Sequence, residues 1–342
     1  MKACILNGVK DWSFSETPYP ENYDKDNYAI IKTTLNGICS TDILRSMKNG
    51  FYSYPIIPGH EIIGQIEEIK GDQDLTINDR VAVYPLIPCE KCIHCSNKDP
   101  NLCDNYNFLG SRTNGGYSEY LVAPIRNLVK IPDNVSNEKA VFTEPLAVTL
   151  HSFKIAESFL KPKNILIIGL GPIGLLVAMW AKYKGIKNVY GIDRNKNRFE
   201  IFKKIGFDNC IDTKSNDLEK FNKDDIKFDS VFECSGSVLL QKIGINKTMK
   251  KGQFILLSNP NDDLLMDKET YSKILRSEIN FRGSWSSKIS PDNEWKEVLN
   301  LLSQNLLDPS ILISNKIKLN ELPAKIPLMY EKKFEFIKVV VE

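Results

Sequence analysis

Histidine is scarce in this chain, three in 342 residues, and neither sign of charge is in excess. Forty-five Lys and Arg against 43 Asp and Glu leave a formal net charge of +2. With the signs interleaved, that balance gives no basis for a nucleic-acid interface or an anionic membrane surface. No stretch approaches the ~20 apolar residues of a membrane-spanning helix. Residues 1–12 turn polar too soon for an export signal. No internal repeat or low-complexity tract is visible. The expectation is a soluble cytoplasmic protein, in a compartment where closely spaced cysteines stay reduced. At 342 residues the chain is too long for one core, so two domains are expected.

Against this plain background the eight cysteines are unevenly placed. Cys89, Cys92, Cys95 and Cys103 fall within one short loop. Tetrahedral zinc takes four thiolates at about 2.3 Å, and pairs separated by two residues can both turn onto one ion. An iron–sulfur run of CxxCxxC continues with x3 and then proline; here the last gap is seven residues and Asp104 follows. The spacing therefore predicts a structural zinc lobe. The alternative, a disulfide knot, lacks any sign of an oxidising location. Cys4, Cys210 and Cys234 lie in apolar runs and are expected to be core residues.

The first half, to about residue 150, has short apolar runs broken every 8–15 residues or so by Gly, Pro, Asn and Asp, the rhythm of a β-rich, barrel-like domain. Strands are expected at 2–6, 28–35, 79–84 and 117–123. Within it lie Cys39-Ser40-Thr41-Asp42 and Gly59-His60-Glu61. A catalytic zinc site has about three protein ligands and one open position. Cys39 and His60 are candidate ligands, with Glu61 as ligand or orienting group and Glu144 as a third. A buried cysteine and a satisfied core histidine are the alternative reading.

In the second half, residues 164–168 read as a buried parallel strand. It runs into Gly169-Leu170-Gly171-Pro172-Ile173-Gly174 and then an apolar helix to Tyr183. A second strand, 188–192, ends in Asp193, 19 residues past Gly174. This is the dinucleotide fingerprint in its required context: glycines for a tight turn and close backbone approach, a helix N-terminus for the pyrophosphate, a carboxylate for the ribose hydroxyls. Asp193 favours NAD over NADP; the neighbouring cation Arg194 tempers that preference. Further strands at 228–234 and 252–257 imply a doubly wound parallel sheet. Residues 213–227 read as a solvated connection, 290–310 as an amphipathic helix, and 334–341 as a strand rejoining the first domain.

Taken together, these motifs resemble the zinc-dependent medium-chain alcohol and polyol dehydrogenases almost end to end. The resemblance rests on GHE-x2-G at Gly59–Gly64, the four-cysteine lobe, Cys39, and Glu144-Pro145-Leu146, the polyol branch's glutamate motif. Ser40 stands where the family usually has glycine, and Lys70 where it has a small residue. The resemblance implies a GroES-like catalytic domain, 1–150 and 286–342, and a Rossmann domain, 151–285. It also implies two zinc ions, a catalytic one on Cys39, His60 and Glu144 with Glu61 beside them, and a structural one in the lobe. Thr41 resembles the hydroxyl that relays the substrate's proton; a turn residue bonding its own backbone is the other reading. His151 is expected to be a packed histidine. The implied reaction is NAD-dependent oxidation of a secondary alcohol in a homodimer or homotetramer.

Several stretches, including Lys48-Asn49-Gly50 and Gly110-Ser111-Arg112, look most like a branch that acts on sugar alcohol phosphates. Sorbitol, xylitol, ribitol-phosphate and threonine dehydrogenases share the scaffold. A phosphate needs a cationic end to its pocket, and Arg45, Lys48, Arg112 and Arg282 are the candidates. A zinc-free quinone reductase-like protein and a non-enzymatic NAD-binding protein are the rivals; both are disfavoured by the intact ligand set.

Overall fold

The computed structural model describes residues 1–21, 26–70 and 74–342. Those residues form two compact units, Met1–Glu144 with Lys288–Glu342, and Pro145–Ser287. The boundary between them falls inside one helix, Thr143–Glu157.

The first unit carries, among the described residues, a seven-stranded sheet. Its order runs Ile313–Ile317, Lys338–Val341, Tyr28–Gly37, Glu61–Glu68, Arg80–Val83 and Leu128–Lys130, with Tyr120–Pro124 also pairing to Tyr28–Gly37. Apart from the parallel pair at Ile313–Ile317, the ladder is antiparallel. Ala29, Ile31, Ile62, Val81, Val83 and Leu121 pack one core and Ile38, Ile43, Tyr117, Leu322, Val339 and Val341 another, as side chains alternate along the strands. The strand Lys338–Val341 is buried at every position, so the chain's late residues are built into a core begun by its early ones. The strand signal at 334–341 is confined to 338–341, and the helix within 290–310 is Glu294–Ser303.

The second unit holds a six-stranded, wholly parallel sheet. In space its strands run Asn209–Asp212, Asn188–Asp193, Asn164–Ile168, Phe228–Glu233, Thr248–Leu256, Asn280–Gly283. Numbered by sequence this is 3-2-1-4-5-6, with the reversal beside Asn164–Ile168, where such sheets bind dinucleotides. Phe228–Glu233 is buried throughout because helices cover both faces. One reading needs correction: residues 213–227 contain the helix Asp217–Lys223, which anchors through buried Phe221. Two apolar residues, Leu218 and Phe221, within seven carry too little periodicity to register as a packed helix. Cys4 is buried, but Cys210 and Cys234 are only half-buried.

Candidate active site

Cys39 precedes the one-turn helix Ser40–Leu44, and its backbone N–H donates to the Asp42 Oδ2 at 3.4 Å. Ser40 takes ordinary helical geometry, so glycine is not required there. His60 and Glu61 lie at the start of the strand Glu61–Glu68. The donor atoms of Cys39, His60 and Glu61 are mutually within 4.8 Å. A thiolate, an imidazole and a carboxylate so placed are a donor set suited to zinc.

The imidazole is fixed from behind. Asp42 Oδ1 is 3.1 Å from His60 Nδ1, and Asp42 Oδ2 accepts the Tyr117 hydroxyl at 2.8 Å. An ionised Asp42 holds the proton on Nδ1 and leaves Nε2 for a metal. Burial opposes ionisation of Asp42, but His60 and the Tyr117 hydroxyl overcome it and hold its pKa below the usual carboxylate value. Burial likewise opposes the His60 cation, and the Asp42 charge overrides it, raising the imidazole pKa. Tyr117 keeps its proton, since burial and then the Asp42 charge push its pKa well up.

Glu61 has a partner far along the chain. Lys338 Nζ donates to Glu61 Oε2 and to the Ile38 carbonyl at 3.1 Å. Gly37 makes room for this: a Cβ there would lie 1.9 Å from Glu61 Oε2. Glu144 stands close enough to feel the charges of His60 and Glu61, but outside the mutually close donor set. Burial, against the pull of His60, pushes the Glu144 carboxyl up to about 7. The Thr41 hydroxyl donates to Cys39 Sγ at 3.2 Å. His151 is buried on the helix Thr143–Glu157.

Asp42, Tyr117 and Lys338 were not singled out by sequence for any role here. Asp42 had a signal, its place three residues after Cys39 on one helical turn. Lys338 had a weak one, a lone cation heading an apolar strand. Tyr117 had none.

Cys89, Cys92, Cys95 and Cys103 also present sulfurs mutually within 4.8 Å. Backbone N–H groups of the lobe, that of Cys95 first, lower the Cys92 thiol to about 6. Burial raises Cys95 to about 12. A metal held by the four sulfurs would displace whatever protons they carry. Four thiols converging without a disulfide fit a closed structural zinc site.

In the second unit the three fingerprint glycines serve different ends. Gly169 has φ +88 and turns the chain out of the strand Asn164–Ile168. A Cβ on Gly174 would lie 1.9 Å from the Gly169 carbonyl oxygen, so its absence lets the helix Pro172–Tyr183 pack down. A Cβ on Gly171 would meet nothing closer than Arg198 at 4.0 Å. That open cradle, at a helix N-terminus whose first turn includes Pro172 and Ile173, fits a pyrophosphate. Asp193, buried, accepts from the Leu170, Arg194 and Asn195 amides at 2.7–2.9 Å and from Arg198 at 3.0 Å.

Comparison with known proteins bears on the same residues. The alcohol dehydrogenase GroES-like domain model matches residues 25–133, and the zinc-binding dehydrogenase model matches 172–304. Galactitol 1-phosphate 5-dehydrogenase of Escherichia coli (strain K12) is 32% identical over 308 residues, 88% of each chain. The chain belongs to the zinc-dependent medium-chain alcohol and polyol dehydrogenases. Its two units are accordingly the GroES-like and Rossmann domains of that family. The crystal structure of galactitol-1-phosphate dehydrogenase from Escherichia coli aligns with a TM-score of 0.91 at 28% identity, covering 100% of this chain and 99% of that one. Sorbitol dehydrogenase of Halalkalibacterium halodurans is 30% identical over 333 residues, 94% of each chain. An alcohol dehydrogenase from Escherichia coli CFT073, solved with NADH, gives a TM-score of 0.88 at 26% identity over 100% of this chain and 98% of that one.

Proposed function

We propose that this dehydrogenase oxidises a secondary hydroxyl of a sugar alcohol phosphate, galactitol 1-phosphate foremost, with NAD+ as acceptor. The observation that carries the chemistry is the convergence of Cys39, His60 and Glu61 with the imidazole held by Asp42. Similarity to galactitol 1-phosphate 5-dehydrogenase supports the substrate class. Asp193 supports NAD, because its buried carboxylate repels a ribose 2′-phosphate.

Cys39 and His60 would hold the catalytic zinc, with Glu61 in the converging donor set and Glu144, which feels the charge of His60, as the further carboxylate ligand, and the four-cysteine lobe would hold a structural one. When bound, zinc supplies Lewis acidity that lowers the pKa of an alcohol, and nicotinamide supplies the hydride acceptor. Asp42 keeps Nε2 of His60 aimed at the metal by holding Nδ1–H. Thr41 Oγ1 donates a hydrogen bond to Cys39 Sγ, which leaves its lone pairs free to accept a hydrogen bond from the substrate hydroxyl and orient it. Gly171 and the first turn of its helix hold the pyrophosphate. The working form is proposed to be a cytoplasmic homodimer or homotetramer.

The experiment is NAD+ reduction by the zinc-loaded protein with galactitol 1-phosphate, galactitol, sorbitol, xylitol and threonine. A kcat/KM highest for the phosphate ester supports the reading. A preference for sorbitol, which the sorbitol dehydrogenase relative makes the second reading, rejects the phosphate.

A further inference from the structure

Four cations were candidates for a phosphate partner, and their surroundings differ. Arg282 is engaged in the Rossmann unit, where it donates to Ser158 Oγ at 3.0 Å and to the Ile155 carbonyl at 3.4 Å. Arg45 and Arg112 instead converge on one phenol ring. The Arg112 guanidinium sits 4.2 Å from the Tyr52 centroid and 4.5 Å from that of Tyr106. The Arg45 guanidinium sits 5.0 Å from the Tyr52 centroid and 5.9 Å from that of Phe51. Among the described residues no carboxylate pairs with either arginine, whereas Arg126 and Arg198 each have one. Hydrogen bonding from Arg45, followed by the charges of both guanidiniums, holds the Tyr52 hydroxyl below the usual phenol pKa.

Two like charges gathered without a counter-ion repel each other, and aromatic stacking only partly offsets this. An anion bridging them removes the repulsion. Stacking between rings also fixes the plane of a guanidinium fork beforehand, so little side-chain freedom is lost on binding a phosphate.

The cluster lies beside the metal-ligand set by two routes. Arg45 follows Cys39 by six residues on a helical path, about 9 Å of axis at 1.5 Å per residue. From Arg112 the ring contacts run through Tyr106 to Phe108 at 6.4 Å, and from Phe108 to His60 at 5.8 Å. In an extended hexitol 1-phosphate the phosphorus stands about 7–8 Å from C5, for bonds of about 1.5 Å. The spans match.

We infer that Arg45 and Arg112, aligned by Tyr52 and Tyr106, form the phosphate clamp that selects a phosphorylated over a free polyol. The inference rests on the substrate class proposed above and assigns it to particular side chains. Arg112 presents its fork to two phosphate oxygens, and Arg45 neutralises the remaining charge. The Tyr52 hydroxyl orients both cations.

The test uses the zinc-loaded full chain with saturating NAD+ and compares galactitol 1-phosphate with galactitol. For Arg112→Leu and Arg45→Leu, KM for the phosphate ester should rise about 10- to 100-fold, the loss expected for one charge-assisted hydrogen-bonding partner. Its kcat should change little, and the parameters for galactitol should stay in place. Tyr52→Phe should give a smaller rise, and Lys48→Ala none. Arg112→Lys, which keeps the charge but loses the fork, carries the test if Arg112→Leu does not fold. Calorimetric binding of galactitol 1-phosphate without NAD+ should rank the variants in the same order, independently of turnover. A wild type that prefers the ester while both arginine variants keep that preference overturns the clamp alone. A wild type that does not discriminate between the two substrates overturns the substrate reading, and the clamp with it.

Discussion

Lys338 and Glu61 form an ion pair inside the GroES-like unit, their side chains only 2% and 3% exposed. Removing one member of such a pair strands the other charge in a medium that solvates it poorly, at a cost of about 3–5 kcal/mol. Lys338→Met should therefore lose about that much stability in urea unfolding. Lys338→Met combined with Glu61→Gln should recover part of it. If the double variant is as unstable as the sum of the singles, the pairing contributes nothing of its own.

Asp42 holds His60 through Nδ1, on the side away from Nε2. Asp42→Asn preserves volume and removes the charge that fixes the His60 proton on Nδ1. Zinc affinity at this site should fall about 10- to 100-fold, as for other orienting carboxylates. Competition with a chromogenic chelator measures it. Unchanged zinc retention would falsify the orienting role.

The two zinc sites should be separable. Metal analysis of the purified chain should give about two zinc ions, and Cys103→Ser about one, because a closed tetrahedral site does not survive loss of a thiolate. Two ions retained by Cys103→Ser would remove the lobe from the metal count.

The fingerprint glycines should fail in different ways. Gly174→Ala forces a Cβ to 1.9 Å from the Gly169 oxygen and should destabilise the Rossmann unit by about 1–3 kcal/mol. Gly171→Ala has protein-free space around it and should fold normally, yet bind NAD+ more weakly, because the methyl occupies the pyrophosphate cradle. Thermal melts and NADH fluorescence titration read the two effects. A Gly171→Ala variant with unaltered affinity removes the cradle from the binding argument.

Asp267 is one identifiable contributor to acid sensitivity. Asp267 caps the helix Lys268–Arg276 by accepting from the Thr270 amide at 2.8 Å, and it pairs with Lys242. The Lys242 contact first, then the amide, holds its carboxyl down to about 2. A depressed carboxyl stabilises the fold above its unfolded pKa of about 3.9 and loses that contribution as pH falls toward its folded value. The stability gap between wild type and Asp267→Asn should be constant near neutrality and shrink from about pH 4 to about pH 2. A gap that does not change over that window rejects the assignment.

What could be read from sequence was what spacing alone controls. Cys89, Cys92, Cys95 and Cys103 lie in one loop, so their spacing already limits their geometry. The turn from Ile168 through Gly174 is likewise a local device, and the strand Asn164–Ile168 that leads into it showed as an apolar run. Contacts set by the folded sheet were not legible. Glu61 meets Lys338 across 277 residues, and Tyr117 reaches Asp42 across 75. No periodicity encodes such pairs. The same holds for Arg45 and Arg112, whose shared ring, Tyr52, joins segments that the sequence keeps apart. The helix Asp217–Lys223 was missed for a different reason: Leu218 and Phe221 are its only apolar residues, too short a pattern to stand out among its charges.

The strand Lys338–Val341, which pairs with Tyr28–Gly37 and brings Glu61 its cation, has a consequence for biosynthesis. A ribosome adding about 5–20 residues per second needs about 15–60 s to travel from Gly37 to Lys338. For that interval the nascent GroES-like unit has an open sheet edge and an unbalanced carboxylate, Glu61, beside Cys39 and His60. The Rossmann unit, contiguous in sequence, can be complete before then. Loading of the zinc proposed for Cys39 and His60 should therefore wait for the end of translation, and a chain stalled shortly before Lys338 should emerge with its cofactor fold formed and that proposed pocket unfinished.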